Sequence, residues 1–268
     1  MYKVRYMKKH LKIFACYFRL NLASALEYRS SFFAQAFSMA LSNSTFIFFW
    51  WIAFQQVGDT IAGYSFENVL FIWAVISSGY GLSHILFANV SNLTKLIVSG
   101  ELDTYLLQPC NILLNMLCAK TTLSAYGDVL YGLILMTLFF IGDPAAWLWY
   151  LCGTLLAGVL ITAINLSAHT LSFYWGNVPL LGQLAEEFTI NFSVYPDKIY
   201  APAVRALMYS LIPAGIAVHL PLRLYQEFSL GLTLAAWGGA IAYCTISVLF
   251  FYRSLRRYES GNIIVTKL

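Results

Sequence analysis

A few ionisable and strongly polar residues lie inside long apolar stretches, and these are the side chains that could do chemistry. Such groups are expensive to place in a membrane, and they often mark the path of an ion or a substrate. A proton-coupled carrier would pair them near the bilayer centre, whereas the simpler interpretation is that they are interfacial or helix-packing groups. Asp128 is one such residue. The residues considered for a translocation path are Gln35, His84, Asn165, His169, Glu186 and Glu187.

A second pattern lies at residues 91–103, in the first internal stretch with polar character. Ser91 or Asn92 can cap a short helix, and Gly100 can end it in a left-handed conformation. Two carboxylates follow this glycine. A short amphipathic helix with such an end would suit a groove on a cytoplasmic partner, although composition alone equally allows a plain inner loop resting on lipid. The apolar face of this helix consists of Leu93, Leu96 and Ile97.

The sequence lacks the motifs of several enzyme and cofactor classes. No G-x-x-x-x-G-K-[ST] occurs, so the chain has no phosphate-binding loop of that kind. There is no H-E-x-x-H or G-x-S-x-G, and the histidines are scattered. The five cysteines are odd in number and show no paired spacing, which indicates small buried hydrophobes and not a disulfide frame or a metal site. We therefore expect no catalytic, cofactor or metal site in this chain, and a partner must bring any ATP with its Mg²⁺.

The composition indicates that these residues are carried by membrane helices. Of 268 residues, 60% are hydrophobic and 10% are charged, whereas soluble domains carry roughly 25% charged residues. Charges are absent from 30–58, 68–94, 144–185 and 228–252, and each stretch can cross a bilayer, which takes about 20 apolar residues. These features exclude a secreted enzyme, a nucleic-acid-binding domain and a disordered chain. They predict an all-α integral membrane protein with one domain, 1–268, in contact with lipid.

The charge pattern predicts six spans with both termini in the cytoplasm. Seven of the 16 basic residues precede the first apolar stretch and four follow the last, as expected for the inner side of a membrane. Residues 4–28 place apolar side chains at steps of three and four, with basic residues between them. This pattern predicts an amphipathic helix on the inner surface. The first span is expected to remain as an anchor, because no signal-peptide pattern precedes it. The predicted spans are 31–54, 68–87, 121–141, 147–169, 178–194 and 230–252.

The fifth span is ambiguous in the sequence. One crossing must fit between 174 and 227, where two apolar runs are available. We favour 178–194, which makes the proline-bearing segment 196–222 an outer re-entrant hairpin whose non-helical backbone is shielded by protein. In the alternative, 203–221 crosses the membrane and 176–200 is an inner amphipathic segment.

Four short motifs carry a resemblance to a known family. They are Tyr28-Arg29, SGELDTYLLQP at 99–109, YPDKIY at 195–200 with Ile212-Pro213 and Pro221, and RYESGN at 257–262. In this order they resemble the permease subunits of ABC-type transporters of the type-two exporter superfamily, which contains drug, bacteriocin and polysaccharide exporters. The motif at 99–109 is the most specific of the four.

The resemblance implies a function as well as a fold. It implies a six-helix permease of an ATP-driven exporter in the bacterial inner membrane, which is not itself an enzyme. A second copy or a sister permease and two cytoplasmic ATPase subunits would be its partners, with no role for nucleic acid. Residues 4–28 would be the connecting helix, and 91–103 would couple the permease to the ATPase. The implied coupling residues are Leu93, Lys95, Leu96, Ile97, Gly100, Glu101, Leu102 and Asp103. The alternative is an ion-coupled secondary transporter, which would work without a second protein.

Overall fold

The structure is a computed structural model that describes residues 2–259, and side chains are described from residue 9 onward. The end of the RYESGN motif, at 260–262, lies outside the described residues. Between residues 2 and 259 the chain is helical and has no β-strand. Its helices are α1 Tyr2–Glu27, α2 Arg29–Val57, α3 Phe66–Phe87, α4 Leu93–Val98, α5 Asp103–Leu106, α6 Ile112–Leu117, α7 Ala125–Phe139, α8 Pro144–Thr170, α9 Ser172–Trp175, α10 Pro179–Val194, α11 Pro202–Met208, α12 Leu220–Gln226 and α13 Leu230–Leu255.

The helices are arranged around α3 and α8. In the most apolar part of the stretch containing α3, 78% of the residues are buried, and in the stretch containing α8 the share is 61%. The corresponding shares are 17% for α2 and 22% for α13. Small residues allow this close packing. A Cβ atom on Gly132 of α7 would lie 2.0 Å from the Ser78 Oγ of α3, and one on Gly79 would lie 2.4 Å from the Ala157 Cβ of α8. Because few of their residues are buried, the outer helices α2 and α13 expose most of their apolar surface.

Four helical stretches in the described chain are long and apolar enough to cross a membrane. They contain α2, α3, α8 and α13, and the two other predicted spans correspond to shorter helices. Helix α7 has 15 residues instead of the predicted 121–141, because the chain before it forms a loop in which the Thr122 N–H donates to the His84 carbonyl at 3.1 Å. Helix α10 has 16 residues.

The N-terminal helix α1 lies against the chain that leads into α7. The Tyr17 hydroxyl donates to the Asn115 Oδ1 of α6 at 2.5 Å, and the Asn21 Nδ2 donates to the Cys118 carbonyl at 3.0 Å. Helix α1 covers the stretch predicted to be amphipathic, and its polar side chains attach it to the same end of the molecule as residues 91–118.

At the opposite end, short turns reverse the chain. Asp143 caps α8, because its Oδ1 accepts from the N–H groups of Ala145 and Ala146, and Pro144 begins the helix. Helices α7 and α8 are joined at this turn. The segment 196–222 combines a 3₁₀ turn, α11, a turn of π-helix at Gly215–His219 and the start of α12. It is therefore broken into short pieces, whereas α10 is continuous.

Candidate functional site

The segment 91–103 is here called the coupling segment, after the role that the family resemblance implies, and it is attached to the long apolar helices. Helix α3 continues through a 3₁₀ turn, Ala88–Asn92, into α4. The apolar face of α4 is buried, and it belongs to a hydrophobic cluster that also contains Leu166 of α8 and Phe251 of α13. A plain loop resting on lipid does not describe this segment. The buried apolar residues of the coupling segment are Leu93, Leu96, Ile97 and Leu102, and Thr94 is buried as well.

The ends of α4 differ in how well the sequence predicted them. Gly100 has φ +75°, the left-handed conformation expected of a helix-ending glycine. The capping prediction for Asn92 is wrong, because its side chain makes no capping bond and its Nδ2 instead donates to the Asn89 Oδ1 at 3.2 Å. Asn92 stabilises the 3₁₀ turn that joins α3 to α4, and a helix that continues from another needs no separate cap.

The other face of the coupling segment is exposed. Lys95 and Glu101 are exposed, and so are the next apolar residues, Leu106 and Leu107, with exposed fractions of 44% and 86%. Asp103 is half-buried and close to Tyr258, just beyond α13. Burial, and then the Asp103 carboxylate, raises the pKa of Tyr258 to about 12. The surface thus combines one carboxylate, one lysine and two leucines.

Four of the six residues predicted for a translocation path lie close together behind the coupling segment. The His84 Nε2 is 3.2 Å from the Glu186 Oε1, which joins α3 to α10. The Asn165 Nδ2 of α8 donates to the Glu186 Oε2 at 3.3 Å. Tyr80 stacks on the His84 ring at 4.0 Å between centroids, and its hydroxyl lies near the Glu186 carboxylate. We call Tyr80, His84, Asn165 and Glu186 the Glu186 cluster.

The fourth predicted path residue, His169, connects the coupling segment to α10. Its Nδ1 is 2.8 Å from the Thr94 Oγ1 of α4, which is also 2.8 Å from the Ser172 Oγ. The other side of the His169 ring lies against Gly182, where a Cβ atom would be 2.1 Å from its Nε2. The His169 imidazole therefore lies between α4 and α10. Its neighbour on α10, Gly182, precedes Glu186 by one helical turn.

The two remaining path residues are not part of this arrangement. Gln35 is exposed on α2, where its Nε2 donates to the Ser31 Oγ at 2.9 Å. Glu187 is exposed on α10, on a different face from Glu186. The sequence does not distinguish these groups, because it gives no signal for which face of each helix is buried.

Sequence reasoning missed Tyr80 and Thr94. Tyr80 precedes His84 by four residues, so the two share a helix face, and this spacing could have identified it. Thr94 looked like an ordinary residue of a short helix. No group of three or more His, Cys, Asp or Glu side chains that could hold a metal occurs in the described part of the chain.

Comparison with known proteins places the chain in a family. A family model described as ABC-2 family transporter protein matches residues 40–261, which include the coupling segment, the Glu186 cluster and the segment 196–222. A search of curated proteins gave no significant match. Since the family match covers most of the sequence and agrees with the helical, apolar architecture, the chain belongs to the ABC-2 family of transporter proteins and is a permease of that type.

Proposed function

We propose that this chain is the membrane-spanning subunit of an ATP-driven exporter, and that a separate ATPase subunit drives it through the coupling segment. The observation that carries the proposal is the two-sided character of 91–103. One face is buried against α8 and α13, and the other presents Lys95 and Glu101. A partner that moves the exposed face must also move the helices beneath it, because tightly packed interiors transmit displacement.

The surface chemistry fits a protein partner better than lipid head groups. Leu107, which follows Glu101 by six residues, is 86% exposed, and Glu101 and Lys95 are also exposed; a surface that mixes apolar and charged groups is typical of a docking surface. The ATPase would supply the nucleotide site and Mg²⁺, and two copies would serve a pair of permeases. The largely exposed helices α2 and α13 offer apolar surface both for lipid and for that second permease.

The proposed topology has six crossings by α2, α3, α7, α8, α10 and α13, with both ends in the cytoplasm of a bacterial inner membrane. Helices α7 and α10 would be about 22 and 24 Å long at 1.5 Å per residue, so their loops complete the crossing of a hydrocarbon core of about 30 Å. The continuity of α10 supports 178–194 as the fifth span. The broken helices of 196–222 suit an outer re-entrant hairpin that does not cross.

The proposal is tested by charge reversal at Glu101. The chain and its ATPase, identified by copurification, are reconstituted in proteoliposomes. We expect Glu101→Lys to reduce permease-dependent ATP hydrolysis at least about tenfold, because a like-charge contact at an interface costs several kcal/mol. Glu27→Lys, which reverses an exposed carboxylate on α1, is the matched control and should behave as the wild type.

Two results would contradict this function. Hydrolysis by the Glu101→Lys complex at the wild-type rate would remove the coupling role of 91–103. Cargo movement by the purified chain alone, driven only by an ion gradient, would instead indicate the ion-coupled alternative. The family match gives that alternative no support.

A further inference from the structure

A cavity lies among α2, α3, α7 and α10, separate from the coupling segment. Its volume is about 150 Å³, and it is partly open. Most of the lining is apolar, with Ile190 from α10 and the aromatic side chains of Trp73 and Tyr80 from α3. A cavity of about this volume in another protein accommodates benzene. The space therefore fits one aromatic ring or a short branched alkyl group.

A buried carboxylate lies in the wall of this cavity. Asp128, in the first turn of α7, is 2% exposed. Its Oδ1 accepts from the Asn43 Nδ2 of α2 at 2.8 Å, and Asn43 also lines the cavity. Its Oδ2 has no hydrogen-bond partner among residues 9–259. A carboxylate oxygen without a partner is costly in an apolar environment, so this oxygen is an acceptor for a ligand.

The local packing holds Asp128 in this position. A Cβ atom on the preceding residue, Gly127, would lie 2.4 Å from the Ala36 carbonyl oxygen, so the start of α7 touches the backbone of α2. This approach brings Asp128 to Asn43, which is two helical turns beyond Ala36 on α2. The Trp73 ring stacks on Phe46 at 4.1 Å, and its Nε1 also lacks a partner within the described chain. The wall therefore contains an anionic acceptor beside fixed aromatic groups.

We propose that this cavity binds a small organic cation, an ammonium group on an aromatic or short alkyl body. The ammonium would donate to Asp128, and its apolar part would contact Trp73 and Tyr80, whose rings also attract cations. An inorganic cation such as Mg²⁺ or Ca²⁺ would require about six oxygen ligands, and the largely apolar lining does not provide them. A neutral hydrophobe would leave the carboxylate oxygen unpaired.

The site is connected to the proposed transport machinery. Tyr80 lines the cavity and stacks on His84, so an occupant would contact the Glu186 cluster directly. The inference that the bound cation is transported cargo rests on the proposed function. The inference that the cavity binds such a cation does not. Binding is therefore measured without ATP and without an ATPase, and failure of either proposal leaves the other open to its own test.

The test compares an ammonium with a neutral molecule of the same size. The full chain in maltoside micelles is titrated with 4-fluorobenzylamine, which is protonated at pH 7, or with 4-fluorobenzyl alcohol, and binding is followed by fluorine NMR. We expect the amine to bind at least about tenfold more tightly, as for one charge-assisted hydrogen bond. Asp128→Asn, which can still accept from Asn43, should abolish that preference. Asp59→Asn, the same change in an exposed loop, should retain it.

Three results would overturn the proposal. One is equal binding of the alcohol and the amine to the wild type, and another is an unchanged preference in folded Asp128→Asn. The third is displacement of the amine by added phosphatidylethanolamine, which would identify the site as one for a lipid head group. If Asp128→Asn does not fold, the wild-type comparison and the lipid competition still decide. Trp73→Phe then tests whether the amine occupies this cavity. This change keeps an aromatic ring, and we expect it to weaken the binding of the amine.

Discussion

At the scale of single residues, Asp197 shows how the segment 196–222 is held in place. Its carboxylate is fully buried. The Tyr64 hydroxyl donates to its Oδ1 at 2.8 Å, and the Tyr209 hydroxyl donates to its Oδ2 at 3.0 Å. The Arg223 Nη2 is 2.5 Å from the same Oδ2. One carboxylate thus joins the loop before α3, the turn after α11 and helix α12.

Replacing Asp197 should therefore destabilise the protein. Asp197→Ala would remove this acceptor from the buried Tyr64 hydroxyl and the half-buried Tyr209 hydroxyl, and would leave the Arg223 guanidinium without its counter-ion. We expect a loss of about 2–4 kcal/mol in the free energy of unfolding, toward the lower end because 40% of the Arg223 side chain is exposed. Unfolding in mixed micelles, followed by tryptophan fluorescence, measures this loss. Asp59→Ala, in an exposed loop, is the control.

The pH dependence of this effect has a definite sign. Burial alone would raise the pKa of Asp197, but the Tyr64 hydrogen bond, His219 and Arg223 together hold that pKa below its ordinary value. A carboxyl group with a lowered pKa contributes stability that is present above its unfolded pKa, about 3.9, and lost as pH falls through the folded value. The difference between wild type and Asp197→Ala should be the same at pH 7.5 and pH 5. A difference that shrinks over this interval would contradict the pairing.

Residue types in the sequence were enough to select Glu186, His84, Asn165 and His169, because polar groups are rare in membrane helices. They were not enough to separate these residues from Gln35 and Glu187. That distinction depends on which face of α2 and α10 is buried. Apolar residues surround α2, so hydrophobic periodicity does not reveal its buried face. In α10, Glu186 and Glu187 are adjacent and of the same type, so residue type does not tell which of them is buried. Asp128 was recognised as a polar residue of this type, but its cavity depends on four helices that meet only in the fold.

At the scale of helices, small residues determine how closely the central helices pack. Gly132 of α7 touches α3, where a Cβ atom would lie 2.0 Å from the Ser78 Oγ and 2.7 Å from the Ala74 carbonyl oxygen. A backbone carbonyl in a helix cannot rotate away as a side chain can. Substitution at this position must therefore separate the two helices.

We expect Gly132→Ala to destabilise the protein by about 1–3 kcal/mol, the usual cost of an extra group in a packed core. Gly238→Ala on α13 is the matched control, because nothing lies within 4 Å of the new methyl group. In that exposed helical position alanine should be neutral, or favourable by up to about 1 kcal/mol. Thermal unfolding of both purified variants makes the comparison. Equal stability of Gly132→Ala and the wild type would show that α3 and α7 are farther apart than described.

Helix positions followed from apolar runs, but helix ends depended on contacts that a sequence does not display. The turn before α8 has signals that are local in the sequence, because an aspartate that caps the helix is followed at once by proline. Helix α7 begins at Ala125, four residues after the start of the predicted third span, because the Thr122 N–H donates to the His84 carbonyl of α3 instead. Asn92 failed as a cap for the same reason, because its side chain bonds to Asn89.

At the scale of the whole molecule, a continuous series of contacts joins the coupling segment to the interior of the helix bundle. Thr94 of the coupling segment bonds to His169 of α8, and the His169 ring lies against Gly182 of α10. One turn further along α10, Glu186 bonds to His84 of α3. A displacement of α4 would thus alter how α8 and α10 pack, and this arrangement favours coupling through side-chain contacts in addition to rigid movement of whole helices.

Removal of the Thr94 hydroxyl would interrupt this series of contacts while the shape of the side chain is kept. Thr94→Val keeps the volume but removes the bonds to His169 and Ser172, at a cost of about 1–3 kcal/mol for the buried groups left without a partner. We expect the folded variant to bind its ATPase normally while losing most of the permease-dependent hydrolysis. Thr94→Ser, which keeps the hydroxyl, should restore it. If Thr94→Val hydrolyses ATP as the wild type does, then movement passes to the spans through the buried leucine face of α4 alone, and His169 only packs two helices together.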